Sequence, residues 1–407
     1  MPTCFDISPL GSPRQEWTGV ARVVEQFLAR LRPRCPDLEV AATGSIRAAA
    51  FLADHLATLG LEGRCASPPP GPLGRLLVDR AEHGRPAALR WAARTLLRAR
   101  KLVRRPLAPD RLAAIDFFFS FFAGIPRQVR GRGIGAGLFV HDLIPLLLPE
   151  VCRPGQSAMF RRVLDSLRPG DLIVTNSECT RRDVCERLAW NPADVHVVHL
   201  AADPDRFHPV ADPAERERVA RRYGLPGGGY FLSLHSEAAH KNMPLLVEAY
   251  GRYRDRRGPA APGLVIAGGA NVAARGGAAA SPVAEGVRRI GFVADADLAA
   301  VYAQARGFFF PSLYEGFGLP VVEALACGVR PFVSDRGSLP ELLAGDGTLL
   351  DPTDVEAWAA AFAAAETAPP LTADQVARVH ARFDWDRATD RLLDLIRTAA
   401  SRSRSRA

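Results

Sequence analysis

Residues 314–324, Tyr-Glu-Gly-Phe-Gly-Leu-Pro-Val-Val-Glu-Ala, follow an apolar run at 307–311. That run, Gly-Phe-Phe-Phe-Pro, predicts a buried strand closed by a proline. Pro320 pre-sets the backbone angle of a first helical turn, so we expect a helix from Leu319 or Pro320. The stretch therefore predicts a strand, a tight loop and a helix in succession.

The loop and the start of this helix favour an anionic ligand. Gly316 and Gly318 have no Cβ, so the backbone can approach a ligand closely. The first N–H groups of the helix are free, and the positive end of its dipole lies in the same space. Glu315 and Glu323 would lie at the two edges of this site, where carboxylates can accept hydrogen bonds from hydroxyls. A sugar attached to a phosphate needs such a site.

The string PS-x-YEGFGLP-x-x-EA resembles the Glu-x7-Glu signature of retaining glycosyltransferases of family 4, which have the GT-B fold. The resemblance implies that Glu315 faces hydroxyls of the donor sugar and Glu323 the ribose hydroxyls of the nucleotide. The alternative for Glu323 is a structural role at the positive end of the helix dipole. The donor-binding residues implied in this stretch are Glu315, Gly316, Phe317, Gly318, Leu319 and Glu323.

Length and composition predict an ordinary globular enzyme of two or three domains. The chain has 407 residues, of which 48% are hydrophobic and 24% charged. No apolar run approaches the length of a membrane span, and the N-terminus lacks a signal-peptide pattern, so we expect a cytoplasmic protein. The seven cysteines contain no Cys-x-x-Cys pair, which argues against zinc and against a disulfide framework.

Positive charge is concentrated in the N-terminal half. Residues 1–200 contain 28 Lys and Arg against 19 Asp and Glu, whereas the remainder has 24 against 25. Much of the excess lies in 90–105, where basic residues alternate with Trp and Leu. This segment predicts either a basic amphipathic helix on the anionic inner face of the plasma membrane, or a solvated helix packed on its own domain.

Helical and strand patterns alternate along the chain, which predicts an α/β protein with parallel sheets. The resemblance implies that two Rossmann-like domains face each other across a cleft, with ligands at the carboxyl ends of the strands. The predicted divisions are an acceptor-side domain at 1–202 with a basic insertion at 70–113, a linker at 203–229, a nucleotide-sugar domain at 230–382, a helix crossing back at 383–400, and a disordered tail at 401–407.

Two motifs add candidate residues on opposite sides of the cleft. Lys241 follows the first strand of the second domain and could reach a diphosphate; similar enzymes carry an Arg where His240 stands. Asn242 is predicted to cap the next helix. His141, in an HD-x-x-P string after a strand of the first domain, resembles the acceptor-side motif of the family and would orient or deprotonate the acceptor hydroxyl.

Further candidates come from two more family-like strings and one strand end. Gly19 lies in Trp-Thr-Gly-Val-Ala-Arg, which resembles the family's TG-[IV]-x-R loop, where glycine lets the backbone approach the donor. Ser177 and Arg181 lie in a string that resembles its SE-x-TR turn. Ser177 is predicted to cap a helix, and substrate contact is the alternative. Phe292, at the end of a predicted strand, is a further possible site residue.

Other acidic residues are predicted to be structural. The Asp-x-Asp string at 295–297 opens a helix, where acidic side chains are favoured by the dipole. Ser338 and Glu341 have the spacing of a capping box, and we assign Glu341 a structural role on that basis. No metal site is predicted.

These observations together predict a metal-independent, retaining hexosyltransferase that uses a nucleotide sugar and no other cofactor. The string around Glu315 with the Lys-Asn pair resembles bacterial mannosyltransferases of surface-polysaccharide assembly most closely, which suggests GDP-mannose as donor and a glycan or lipid-linked acceptor. The alternatives are a nucleotide-sugar epimerase on the same fold, a catalytically inactive scaffold, and a basic nucleic-acid-binding protein. The last is disfavoured because no stacking aromatics accompany the charge.

Overall fold

The structure is a computed structural model. It describes residues 1–11, 19–43, 72–83, 107–130, 132–235, 238–268 and 284–404, with isolated positions between 49 and 67 and between 92 and 96. These residues form two six-stranded sheets in which every strand pair is parallel. The prediction of an α/β chain with two parallel sheets is confirmed.

The N-terminal sheet has the strand order β2-β1-β3-β4-β5-β6. Its strands are β1 (Thr3–Asp6), β2 (Glu39–Ala41), β3 (Phe117–Ser120), β4 (Gly135–Val140), β5 (Leu172–Thr175) and β6 (Val195–Val197). The C-terminal sheet has the order β12-β11-β10-β7-β8-β9. Its strands are β7 (Tyr230–His235), β8 (Leu264–Gly268), β9 (Val287–Gly291), β10 (Ala305–Phe310), β11 (Pro331–Ser334) and β12 (Thr348–Leu350).

Helices connect the strands, as parallel pairing requires. Those of the N-terminal part are α1 (Gly19–Arg34), α2 (Pro72–His83), α3 (Pro109–Ala113), α4 (Ile144–Leu147), α5 (Gln156–Leu164) and α6 (Glu178–Leu188). Those that follow are α7 (Pro213–Tyr223), α8 (Met243–Arg257), α9 (Leu298–Ala303), α10 (Leu319–Ala326), α11 (Leu339–Leu343), α12 (Val355–Thr367), α13 (Ala373–Arg382) and α14 (Trp385–Arg404).

Glycine in β4 allows three strands to pack around large aromatic rings. Gly137 lies between Phe119 of β3 and Leu172 of β5. A Cβ at Gly137 would lie 2.9 Å from the Phe119 ring and 3.1 Å from the Leu172 carbonyl oxygen. The Phe119 ring lies in the space that the missing side chain leaves, and it packs edge to face on Phe5 of β1.

One hydrophobic core continues from one sheet to the other. It includes residues of β1, α1 and β4, then Phe207 in the connecting segment, then Tyr302 and Phe310 of the C-terminal domain. The rings of Phe207 and Tyr302 meet edge to face, with centroids 6.4 Å apart. The connecting segment is therefore packed between the two domains.

The last helix, α14, returns to the N-terminal domain, where it packs on α1, β4 and β5. It continues to Arg404, so the prediction of a disordered tail from residue 401 is wrong for 401–404. Ala400 is buried, the Ser401 hydroxyl donates to the Arg397 carbonyl, and Arg404 forms an ion pair with Asp116. These contacts extend the helix beyond the point where composition alone predicts disorder.

The basic segment at 90–105 lies outside the described residues except at 92, 93, 95 and 96. Among the helices that the structure describes, none is both long enough and apolar enough to cross a membrane.

Candidate active site

The backbone of the loop before α10 has the conformation that its glycines predict. Gly318 occupies the N-cap position of α10 at φ +105°, a conformation that side-chain-bearing residues rarely adopt. A Cβ there would also lie 2.7 Å from Leu339. Pro320 falls in the first turn of the helix, as predicted. The start of α10 therefore follows Glu315 and Gly316 within four residues.

Lys241 and Glu315 form the central ion pair of the site. Lys241 Nζ lies 2.5 Å from Glu315 Oε1 and 4.9 Å from the centroid of the Phe310 ring. Lys241 ends a 3-10 turn after β7, and the Leu313 amide donates to the His240 carbonyl at 2.7 Å, which joins this turn to the loop after β10. His240 is itself mostly buried, and burial lowers the pKa of its imidazole. The two charges lie side by side at the ends of neighbouring strands.

Glu323 is buried at the contact between the two domains. Only 3% of the residue is exposed, and burial raises the pKa of its carboxyl group, while the Arg22 guanidinium lowers it. Tyr302 donates its hydroxyl to Glu323 Oε2 at 3.2 Å. Arg22, from α1 of the other domain, donates to Oε1 at 3.4 Å and to Asp295 at 2.7 Å.

His141 lies at the carboxyl end of β4 with its ring stacked on Phe139 at 4.7 Å. Its Nε2 lies 2.7 Å from the carbonyl oxygen of Phe121. A carbonyl only accepts, so Nε2 carries the hydrogen and Nδ1 keeps a free lone pair. Burial lowers the pKa of His141 to about 4, which leaves the ring neutral at pH 7.

Asp142 comes next and faces Glu315 from the N-terminal domain. Its Oδ1 accepts from the Ile144 amide at 3.0 Å. Burial raises the pKa of Asp142 to about 6, and the negative charge of Glu315 adds to the effect. A Cβ on Gly316 would lie 2.7 Å from Asp142 Cβ and would overlap the His141 carbonyl oxygen. The two domains therefore touch at Gly316.

The start of α6 forms a second contact with the same loop. Ser177 caps α6, as predicted, by accepting from the Thr180 amide at 2.9 Å. The side-chain hydroxyls of Ser177 and Thr180 also donate to the Gly316 carbonyl, at 2.6 and 3.1 Å respectively. Tyr314 donates to Asp183 of α6 at 2.5 Å.

Several residues that the sequence predicts for the site make structural contacts or lie in the core or at the surface instead. Arg181 donates to the carbonyls of Val195 and Pro192, so it fastens α6 to β6. Phe317 is 3% exposed and packs against His199 and Phe383, so only its backbone belongs to the loop surface. Phe292 follows β9 and is 40% exposed.

The remaining predicted residues flank the loop or begin a helix. Leu319 is the first residue of α10 and is partly buried. Gly19 begins α1, and among the described residues no atom outside its chain neighbours and its own helix lies within 4 Å of where its Cβ would be. The tryptophan and threonine before it lie outside the described residues.

Two predicted caps lack the predicted hydrogen bonds. Asn242 occupies the N-cap position of α8, as predicted, but at φ +53° its side chain makes no capping bond and donates instead to the Pro352 carbonyl. Ser338 and Glu341 do not form a capping box. The Ser338 hydroxyl donates to the Phe317 carbonyl, and Glu341 accepts from the Glu178 amide at the start of α6. In each case the side chain bonds to another part of the chain instead of to its own helix.

The structure adds residues that sequence reasoning missed. Arg22 was part of the quoted Trp-Thr-Gly-Val-Ala-Arg string, so its motif was the available signal. The sequence predicts Asp295 to be a helix-opening acid, but its two oxygens bind Arg22 and Arg206. Tyr302 gave no signal in the sequence. Among the described residues, no group of three or more His, Cys, Asp or Glu side chains is arranged to hold a metal ion.

Two family models match the chain and together cover most of it. Residues 216–380 match the model described as Glycosyl transferases group 1, and residues 17–206 match the model described as Glycosyltransferase Family 4.

Two curated proteins of Escherichia coli are similar in sequence. The O-antigen chain mannosyltransferase B is 34% identical over 230 residues, which cover 54% of this chain and 58% of that protein. The serotype-specific mannosyltransferase WbdA is 30% identical over 272 residues, which cover 63% of this chain and 32% of that protein. The matches therefore span little more than half of the first relative and a third of the second.

Among solved structures, Anabaena Alr3699/HepE in complex with UDP-glucose has a TM-score of 0.64 at 16% identity, over 97% of this chain and 99% of that one. At this identity the likeness shows the fold alone.

Proposed function

Because the chain belongs to the group 1 glycosyl transferases and has the GT-B fold, we propose that it transfers a hexose from a nucleoside diphosphate to a hydroxyl acceptor. The acceptor in this proposal is a glycan or lipid-linked glycan of cell-surface polysaccharide synthesis. The names of the two E. coli relatives support this setting.

The observation that carries the proposal is the Lys241–Glu315 pair beside the start of α10. An ammonium group and free helix amides both suit a diphosphate. In the proposed complex Lys241 neutralises the diphosphate together with the amides of Gly318 and Leu319, and Glu315 accepts hydrogen bonds from sugar hydroxyls. The positive charge that the leaving group needs then comes from protein groups, so the reaction as proposed uses no metal ion.

The sugar and the base are proposed from likeness. Mannose is proposed from the names of the two mannosyltransferase relatives. Guanosine diphosphate is proposed from the resemblance of the string around Glu315 to bacterial mannosyltransferases of surface-polysaccharide assembly. The Anabaena structure was solved with UDP-glucose, so uridine diphosphate is the competing donor nucleotide. Glu323 would hold the ribose hydroxyls with either base.

His141 is assigned to the acceptor. Its Nδ1 lone pair can accept a hydrogen bond from the attacking hydroxyl and orient it, whereas a pKa of about 4 makes the ring a weak base. In the proposed front-side reaction the acceptor oxygen bonds to the anomeric carbon while the bond to the diphosphate oxygen breaks. The electron pair leaves with the diphosphate, which takes the acceptor's proton, and the configuration is retained. Contact of the 90–105 segment with an anionic membrane is part of the same proposal.

A thermal-shift screen of nucleotide sugars tests the donor site. We expect GDP-mannose to raise the melting temperature of the wild type, and Glu323→Ala to lose that shift because affinity falls about tenfold or more when a buried carboxylate no longer receives the hydroxyls. Glu356→Ala is the matched control, since this exposed glutamate of the same domain pairs only with Arg252 and Arg256 in the described contacts. An unchanged shift in Glu323→Ala would contradict the ribose assignment.

The reaction itself is tested by product analysis. We expect nucleoside diphosphate to be released at a substantial rate only when a glycan acceptor is present, and the new linkage to have the donor's anomeric configuration by NMR. Acceptor-independent conversion of the nucleotide sugar into its epimer would favour the epimerase alternative, and an inverted linkage would contradict the front-side reaction.

A further inference from the structure

Arg22 joins the two domains at the carboxylate that the proposed function assigns to the nucleotide. It lies on α1 of the N-terminal domain, and its guanidinium contacts Glu323 at 3.4 Å and Asp295 at 2.7 Å, both in the C-terminal domain. The Glu323 side chain is only 5% exposed and that of Arg22 is 29% exposed. The ion pair is therefore largely shielded from water.

Further groups hold Arg22 and Glu323 in this arrangement. Asp295 binds Arg22 with one oxygen and Arg206 with the other, at 2.7 and 2.8 Å, so its position is fixed from two sides. The Tyr302 hydroxyl binds the second oxygen of Glu323 at 3.2 Å. One oxygen of Glu323 is thus oriented by its own domain and the other by the opposite domain.

We propose that Arg22 is a positioning residue for nucleotide recognition, which keeps Glu323 ionised and aimed at the ribose hydroxyls from across the domain contact. This inference rests on the proposed function. Two ribose hydroxyls donate best to a carboxylate, and a carboxylate buried without a cation tends to take up a proton. Because the cation comes from the other domain, nucleotide binding and domain contact support each other.

The chemistry of arginine suits this role. A planar guanidinium presents donors in several directions, so it can bind Asp295 and Glu323 at the same time. A lysine at this position carries the same charge, but concentrated on one ammonium group. It would bind either Asp295 or Glu323 and lose the other. Arg22→Lys should therefore preserve the positive charge beside Glu323 but no longer orient the Glu323 carboxylate.

The charged and titratable groups around Glu323 determine how binding should depend on pH. They are Arg22, Asp295, Arg206, Tyr302 and the Cys327 thiol. Protonation of Glu323 in the free protein competes with nucleotide binding, so affinity falls as the pH drops through the pKa of Glu323. Arg22 lowers that pKa, so its removal should move the fall in affinity to higher pH.

The experiment is isothermal titration of GDP and UDP between pH 8 and pH 5 with wild type, Arg22→Gln, Arg22→Lys and Arg34→Gln. We expect Arg22→Gln to weaken binding about tenfold or more at pH 8 and to shift the acid midpoint upward. Arg22→Lys should keep the midpoint near that of the wild type with an intermediate affinity. Arg34→Gln is the matched control: Arg34 lies on the same helix but pairs with Asp386 and Asp390 of α14. Arg34→Gln should change neither the affinity at pH 8 nor the acid midpoint.

Glu323→Gln separates the two proposals. If Glu323→Gln binds nucleotide as the wild type does, the proposed nucleotide site itself fails. If Glu323→Gln is weakened but Arg22→Gln keeps the wild-type affinity and midpoint, only the role of Arg22 is overturned. A loss of affinity in Arg22→Gln with an unmoved midpoint would also overturn it, because that result indicates a structural role. If Arg22→Gln does not fold, Arg22→Lys decides: intermediate affinity with a midpoint near that of the wild type supports the role of Arg22, and wild-type affinity overturns it.

Discussion

At the scale of single residues, the two nitrogens of the His141 ring have different tasks. Nε2 donates to the Phe121 carbonyl, and this bond with the Phe139 stack fixes the plane of the ring. Nδ1 is then the only ring atom that can meet an acceptor hydroxyl. Burial holds the ring neutral, with its pKa lowered to about 4, so the nitrogen accepts a hydrogen bond at neutral pH.

The depressed pKa of His141 predicts a pH-dependent stability. The unfolded chain protonates this ring below about pH 6.5, but the folded protein does so only near pH 4, so stability falls as the pH drops between these values. The contribution is on the order of 3 kcal/mol. We expect His141→Gln, whose amide can still donate to Phe121, to lose less stability than the wild type between pH 7.5 and pH 4.5. Urea unfolding midpoints at both pH values measure this loss of stability. Equal losses in the variant and the wild type would contradict the burial of the ring.

At the scale of elements, the loop between β10 and α10 meets the N-terminal domain at α6. The Gly316 carbonyl accepts from the Ser177 and Thr180 hydroxyls, and the Glu178 amide donates to Glu341. The Glu178 amide at the start of α6 thus receives an acceptor from the opposite domain, in addition to the local cap that Ser177 provides for the Thr180 amide. This contact sets where Glu315 lies relative to His141.

Gly316→Ala should separate this contact. The new methyl would lie 2.7 Å from Asp142 Cβ and would overlap the His141 carbonyl, so the loop cannot stay seated. We expect sugar transfer to fall about a hundredfold because the reacting groups are misplaced by roughly an ångström. GDP binding should fall much less, because Lys241 and Glu323 both belong to the C-terminal domain.

Gly251→Ala is the control for Gly316→Ala, in α8 of the same domain. In the part of the chain that the structure describes, no atom outside its own helix lies within 4 Å of its added Cβ. This exchange should stabilise the helix by about 0.5–1 kcal/mol and leave transfer unchanged. Steady-state rates and titration of GDP measure both variants, and a Gly316→Ala protein with wild-type transfer would refute the close contact.

At the scale of the whole molecule, the end of the chain stabilises its beginning. Trp385, at the start of α14, packs edge to face on Phe27 of α1 with centroids 5.3 Å apart. Arg34 of α1 pairs with Asp386 and Asp390 of the same helix. The N-terminal domain is therefore completed by residues that follow the C-terminal domain in sequence.

Trp385→Ala should weaken the N-terminal domain. Removal of this buried side chain is expected to cost about 3–5 kcal/mol and to speed hydrogen exchange in α1. Trp358→Ala removes an equally buried tryptophan from the core of the C-terminal domain, near Phe309, and should speed exchange in β10 and α12 instead. Exchange followed by mass spectrometry distinguishes the two patterns. Unchanged exchange of α1 in Trp385→Ala would show that α14 does not support this domain.

The sequence alone determined those features whose causes lie within a few residues of each other. Alternating apolar strands and amphipathic helices predicted two parallel α/β sheets, and Gly318 with Pro320 predicted the loop and helix start that the structure contains. The cap at Ser177 was predictable for the same reason, because its partner, the Thr180 amide, is three residues away.

Only the tertiary structure decided which side chains meet. Arg22 and Glu323 are 301 positions apart, and Glu341 finds its donor on α6 of the other domain, 163 positions away. Phe317 turns into the core because His199 and Phe383 pack there. Local conformational preferences act between neighbours along the chain, so a short stretch of sequence is enough to predict them. Partners across a domain contact depend on how two finished sheets pack together, and that packing sums many weak contacts that no single motif encodes.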